Sequence, residues 1–139
     1  MATVLLGMTA GCGSSGTAPP AYVTAANAIC AVQLAQLNKL SKPTTATEAI
    51  GYLPRAIAVM HHETAQLATL DPVASKRAQF VAALDSTRRL AGALGRFLRQ
   101  LRTGVVELST YAQVQAEADA LAAETNAHFR GAGLPRCVS

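Results

Sequence analysis

Four breaker clusters cut this chain into four stretches, and each stretch carries one apolar stripe at helical spacing. The breakers are Ser41-Lys42-Pro43, Asp71-Pro72, Thr103-Gly104, and Gly131 with Gly133. Proline lacks the N–H that continues a helix, and glycine accepts the left-handed turn that ends one. Between the breakers, apolar residues recur every three or four positions, which keeps them on one helical face. The first stretch predicts a helix from about Tyr22 to Leu40, with Tyr22, Ala26, Ile29, Cys30, Leu37 and Leu40 inward. The second starts at Thr45, where Thr45 and Glu48 form a capping box. Its stripe is Ile50, Leu53, Ile57, Met60, Thr64 and Leu67, and Pro54 is expected to kink it near Ile50–Gly51. The third runs from about Ser75 to Arg102, with Phe80, Leu84, Thr87, Ala91, Leu94, Leu98 and Leu101 inward. The fourth is expected near Ser109 or Thr110, with Thr110 and Gln113 as a second capping box and a stripe of Tyr111, Val114, Ala118, Leu121, Thr125 and Phe129.

Composition agrees with helices. Half the residues are hydrophobic, yet only 4% are aromatic, and Ala and Leu, which lose little freedom in a helix, dominate. Short loops between four amphipathic helices imply an all-α fold, an up-down-up-down four-helix bundle over residues 22–139.

Upstream of the bundle the chain reads as an address. Residues 2–8, "ATVLLGM", are apolar; small residues follow; then come Cys12 and the polar "GSSGTAPP". That layout predicts a signal peptide over residues 1–11 and a flexible linker over 12–21. A Cys after Ala-Gly resembles the bacterial lipobox, which implies cleavage before Cys12 and lipidation of its thiol. The match is partial, because Thr9 stands where Leu is usual and no Lys or Arg precedes Lys39. A basic segment upstream is therefore expected. Ordinary secretion without a lipid, or no export, are the alternatives. No apolar run is long enough for a transmembrane helix.

With Cys12 lipidated, Cys30 and Cys137 remain as an even pair, and an oxidising compartment allows them to bridge. The bridge would close a loop of roughly 100 residues. In an up-down bundle the tail after the fourth helix reaches the flank of the first. Geometry alone leaves a bridge to Cys12 open, and two buried free thiols are the alternative inside the cytosol.

"YVTAANAIC" near the start and "GLPRC" at the end make the chain resemble small exported helical proteins of actinobacteria. The matching positions are Ala26, Ala28, Ile29 and Cys30, then Gly133, Leu134 and Cys137. The resemblance covers roughly residues 22–137. It implies the helical architecture and the disulfide, and it implies no catalytic residues.

Two clusters invite a functional reading. "MHHE" at Met60–Glu63 raises a transition-metal site. Adjacent helical residues point about 100° apart, so His61 and His62 do not converge, and the zinc-protease spacing H-E-x-x-H is absent. A metal site would need His61 beside His128, with Glu124 one turn before His128; otherwise these residues form a solvated face. The second cluster is a basic stripe, with Arg88, Arg89, Arg96 and Arg99 opposite Leu94 and Leu98 and Arg102 at its boundary. It suits an anionic envelope surface or merely a solvated helix face. Nucleic acid is disfavoured, because export and the lack of aromatic interleaving argue against it. Gly92 and Gly95 suggest close helix packing or a weak spot. No nucleophile motif, phosphate loop or cofactor motif is present, so no enzyme and no cofactor are expected.

The expectation is a lipid-anchored or secreted envelope protein, held at the membrane through its lipid, with a non-catalytic binding or structural role. Its protein partner is not specified by the sequence. The alternatives are a metal binder using His61 and His128, or a binder of a small hydrophobic ligand between the second helix and its neighbours.

Overall fold

The computed structural model describes residues 18–104 and 106–138. It is all-α: α1 is Ala21–Asn38, α2 Ala46–Leu67, α3 Ala74–Arg102 and α4 Leu108–Gly131, followed by a 3-10 turn, Pro135–Cys137. No strand occurs among the described residues. Successive helices pair antiparallel. Arg89 meets Glu124 and Arg96 meets Glu117 across α3 and α4, while Leu67 packs with Phe80, and Leu53 with Phe97, across α2 and α3.

Local signals account for most helix ends. Thr45 Oγ1 accepts the Glu48 N–H at 3.2 Å, as a capping box requires. The Glu48 carboxylate reaches one residue further back than expected, accepting the Thr44 N–H at 2.7 Å and the Thr44 hydroxyl at 2.9 Å. Those bonds, the backbone one first, hold its pKa below the usual carboxylate value. The second expected box does not form. Helix α4 begins at Leu108 with Glu107 as its cap residue, so Thr110 already lies inside the helix and caps nothing. Helix α2 continues through Pro54, which removes only the hydrogen bond to the Ile50 carbonyl.

The end of α4 is built most tightly. Gly133 takes a positive φ of 79°. The Gly133 N–H bonds the Arg130 carbonyl at 3.0 Å, and the Leu134 N–H bonds the Phe129 carbonyl at 2.9 Å. This is a Schellman motif, whose usual hydrophobic contact is here Phe129 with Leu134. It turns the chain back across the bundle and brings Cys137 to Cys30, where the two form a disulfide with Cα atoms 4.9 Å apart.

The fourth side of the bundle is unusual. Among the described residues, no Cα of α1 lies within 8 Å of a Cα of α4. The turn Pro135–Cys137 fills that side instead, packing on both α1 and α4. At this end lies the main core, with Tyr22, Ala26, Leu67, Phe80, Phe129 and Leu134. Tyr22 sets its ring edge-on to Phe80 and donates its hydroxyl to the Ala132 carbonyl at 2.8 Å.

A second core, of Leu53, Phe97, Leu98 and Leu101, lies at the other end and contains no α1 residue. Helix length explains this. At 1.5 Å per residue, the 18 residues of α1 span about 27 Å and the 29 of α3 about 44 Å. The Gln33 amide donates to Gln66 Oε1 at 3.2 Å, which sets α1 against the C-terminal half of α2. The N-terminal half of α2 therefore projects past the end of α1. Gly92 and Gly95 serve no close helix packing. A Cβ there would meet only the Arg96 or Arg99 side chain, at 3.8 and 4.0 Å.

Candidate functional site

The overhang of α2 and α3 beyond α1 leaves a groove. It has a volume of about 750 Å³. Its walls are Tyr52 and Leu53 from α2, Phe97 and Leu101 from α3, and Val114 from α4. Ala49, Ala56 and Ala118 also line it, each presenting a methyl group where a longer side chain would fill the space. Lys42 and Thr44 from the α1–α2 loop, with Glu107 and Gln115, give it a polar rim. Tyr111 stands half-exposed at the mouth, its ring edge-on to Phe97 at 5.7 Å.

A smaller chamber of about 140 Å³ lies deeper, beside the disulfide. Cys30, Leu34, Leu90 and Phe129 line it, together with Glu63, Thr87 and Thr125. Leu37 and Met60 line both spaces, so these two side chains form the wall that the groove and the chamber share.

Glu63 is the chemically distinctive residue. It is partly buried, and among the described residues its carboxyl has no hydrogen bond and no ion pair. Burial pushes its pKa up to about 7, because the apolar wall disfavours the charged form. The neighbouring hydroxyls are already committed as donors. Thr87 donates to the Ala83 carbonyl at 2.8 Å. Thr125 has the Leu121 carbonyl at 2.8 Å and Ser86 Oγ at 3.0 Å, and the Ser86 hydroxyl donates in turn to the Ala82 and Ala83 carbonyls, each at 3.0 Å.

The state of Glu63 gives a pH dependence with a definite sign. In the unfolded chain the group ionises near 4.5, and in the fold near 7. Between those values the folded state holds more protons than the unfolded state. The contribution of Glu63 is therefore fully present below about 4.5 and lost as pH rises through about 7. The loss is on the order of 3 kcal/mol at most. Glu63→Gln is expected to remove this slope, making the variant more stable than the native chain near pH 8. Glu48 acts in the opposite direction, but it is shared by both proteins and cancels from the comparison. Urea unfolding of both proteins from pH 4.5 to 8 checks this; parallel curves would show Glu63 to be solvated in solution.

The other sites read from the sequence fall out differently. Cys30 and Cys137 are joined, while Cys12 lies outside the described residues. The proposed metal set is not assembled. His128 and Glu124 are neighbours, with Nε2 to Oε1 at 3.7 Å, but the other His128 nitrogen is taken by Gln79 Oε1 at 2.8 Å. His61 is exposed on α2, and no Cα of α2 lies within 8 Å of one in α4, because these helices sit diagonally in the bundle. Among the described residues no group of three or more His, Cys, Asp and Glu could hold a metal ion. The basic stripe is divided. Arg89 pairs with Glu124 and Asp85, and Arg96 with Glu117 at 2.6 Å, bracing α3 to α4. Arg88 and Arg99 are exposed and form no ion pair among the described residues.

Sequence reasoning passed over Glu63, although a signal was there. It lies three residues after Met60 and four before Leu67, which puts a carboxyl on the inward stripe.

The site and fold define a class: an all-α four-helix domain with a disulfide-fixed C-terminal turn and an apolar groove. Comparison with protein-family models, with curated proteins and with solved structures finds no match. Among the described residues no helix is long and apolar enough to cross a membrane.

Proposed function

We propose that this domain is a non-catalytic binding protein of the cell envelope, and that it holds a small apolar molecule in the groove between α2, α3 and α4. The groove carries the reading. Its volume of about 750 Å³ falls within the range of small-molecule sites, and its lining has the usual make-up of apolar walls with a few polar groups. The disulfide supports export, since such bonds persist in oxidising compartments. The apolar opening run, Cys12 after Ala-Gly and the likeness to exported actinobacterial helical proteins support attachment to the outer face of the membrane through a lipid. Arg88 and Arg99 are left as the charges that would face an anionic envelope surface. Among the described residues Glu63 has no hydrogen-bonded nucleophile or base beside it, which favours binding over catalysis.

An apolar fluorescent dye such as N-phenyl-1-naphthylamine tests the reading. Its emission is expected to rise on binding and to fall again when decanol is added. Ala49→Phe and Ala118→Phe each place a ring in the groove from a partly buried position, and each is expected to weaken dye binding at least about tenfold. Arg88→Ala serves as a surface control and should leave it unchanged. Equal dye binding by both filled variants and the native chain would defeat the proposal.

A further inference from the structure

We infer that the molecule held in the groove is an amphiphile with a primary-amine head: its ammonium sits against Glu63 in the inner chamber, and its tail passes between Leu37 and Met60 into the larger space. This rests on the binding role proposed above and adds the chemical class of the ligand.

The argument is one of hydrogen-bond accounting. Thr87 and Thr125 spend their single protons on protein oxygens, so each presents only lone pairs to the chamber. Glu63 offers acceptor oxygens and has no partner among the described residues. Apart from the exposed Arg136, the remaining walls, among them Leu34, Leu90, Ala122 and Phe129, offer neither donor nor charge. The polar groups that α2, α3 and α4 turn to the chamber only accept, so a head that only donates satisfies them, and an ammonium has three donors and no acceptor. An unpartnered carboxyl in an apolar wall is also costly, and a charge-assisted bond to a cation removes that cost.

The competing charge is Arg136 on the C-terminal turn, the one cationic side chain lining the chamber among the described residues. No titratable group from α1, α3 or α4 lines it. Arg136 is exposed and Glu63 is partly buried, so the carboxyl acts in the drier position, where a charge pair is stronger. Glu63 protonates as pH falls through about 7, so amine binding should weaken with acid.

Calorimetric titration with decylamine, decanol and decanoate, each below its micelle-forming concentration at about pH 8, decides the matter. Native protein should prefer decylamine to decanol by about tenfold or more. In Glu63→Gln that preference should vanish while decanol affinity holds. Equal affinities for all three in the native protein would overturn the head-group assignment and leave the groove reading standing. Tightest binding of decanoate, lost in Arg136→Gln, would overturn it in favour of an anionic head. Binding of none of the three would remove both the groove reading and this inference.

Discussion

Replacing Cys30 and Cys137 together with alanine is expected to cost the domain on the order of 4 kcal/mol. The bond closes a sequence separation of 107. In the chain-entropy account, a loop of that size withdraws about 4–5 kcal/mol of freedom from the unfolded state. A folded-state effect adds to this. No Cα of helix α1 lies within 8 Å of one in α4, and α1 is tied to the C-terminal end of the chain through the turn that carries Cys137. Without the bond, Tyr22 and its hydrogen bond to Ala132 must hold that side with the buried Leu134. Amide exchange should accelerate first in α1 and in Pro135–Cys137, while the α3–α4 pair, braced by Arg89 and Arg96, keeps its protection. Reducing the native protein should reproduce both effects. Urea unfolding measures the cost, and a loss below about 1 kcal/mol would contradict the loop-closure account.

Phe129→Ala is expected to destabilise by about 3–5 kcal/mol. The ring is 2% exposed and lies in the main core with Phe80 and Leu134. It also forms one side of the inner chamber. Its removal enlarges an existing void and takes away the contact that completes the Schellman motif, so Leu134 and the turn after it lose their seat. Phe97 offers an internal comparison. It is 7% exposed, but it borders the large groove. Water can reach the space left by Phe97→Ala, so that variant should lose clearly less stability than Phe129→Ala while losing more affinity for an apolar dye. Equal destabilisation by the two would show that the groove closes over Phe97 in solution.

The sequence reveals helical faces more readily than helical heights. The spacing of Leu53, Met60 and Leu67 placed all three residues inward, as they are, because a 3.6-residue period fixes direction around an axis. It does not fix how far α1 slides along α2. That register is set by the Gln33–Gln66 contact and by a seven-residue loop running back along α2, and both are tertiary. The groove is a consequence of that slide, so it was hidden. The same limit explains His61 and His128. Each lay beside an apolar stripe, but diagonal helices present those flanks to different surroundings. The second capping box failed for a local reason. The motif at Thr110 and Gln113 is present in the sequence, but α4 starts at Leu108, one turn too early to use it. The end of α4 was more legible, because Gly133 supplies the positive φ and Leu134 the apolar contact that this termination needs.

Co-crystals with 10-bromodecanol, measured at the bromine absorption edge, test the central claim most directly. The account expects one strong anomalous peak inside the groove or its inner chamber, among Leu53, Met60, Phe97 and Val114 or beyond Leu37. Bromine found only on the outer surface of the helices, with water filling the space beside Phe97, would contradict it.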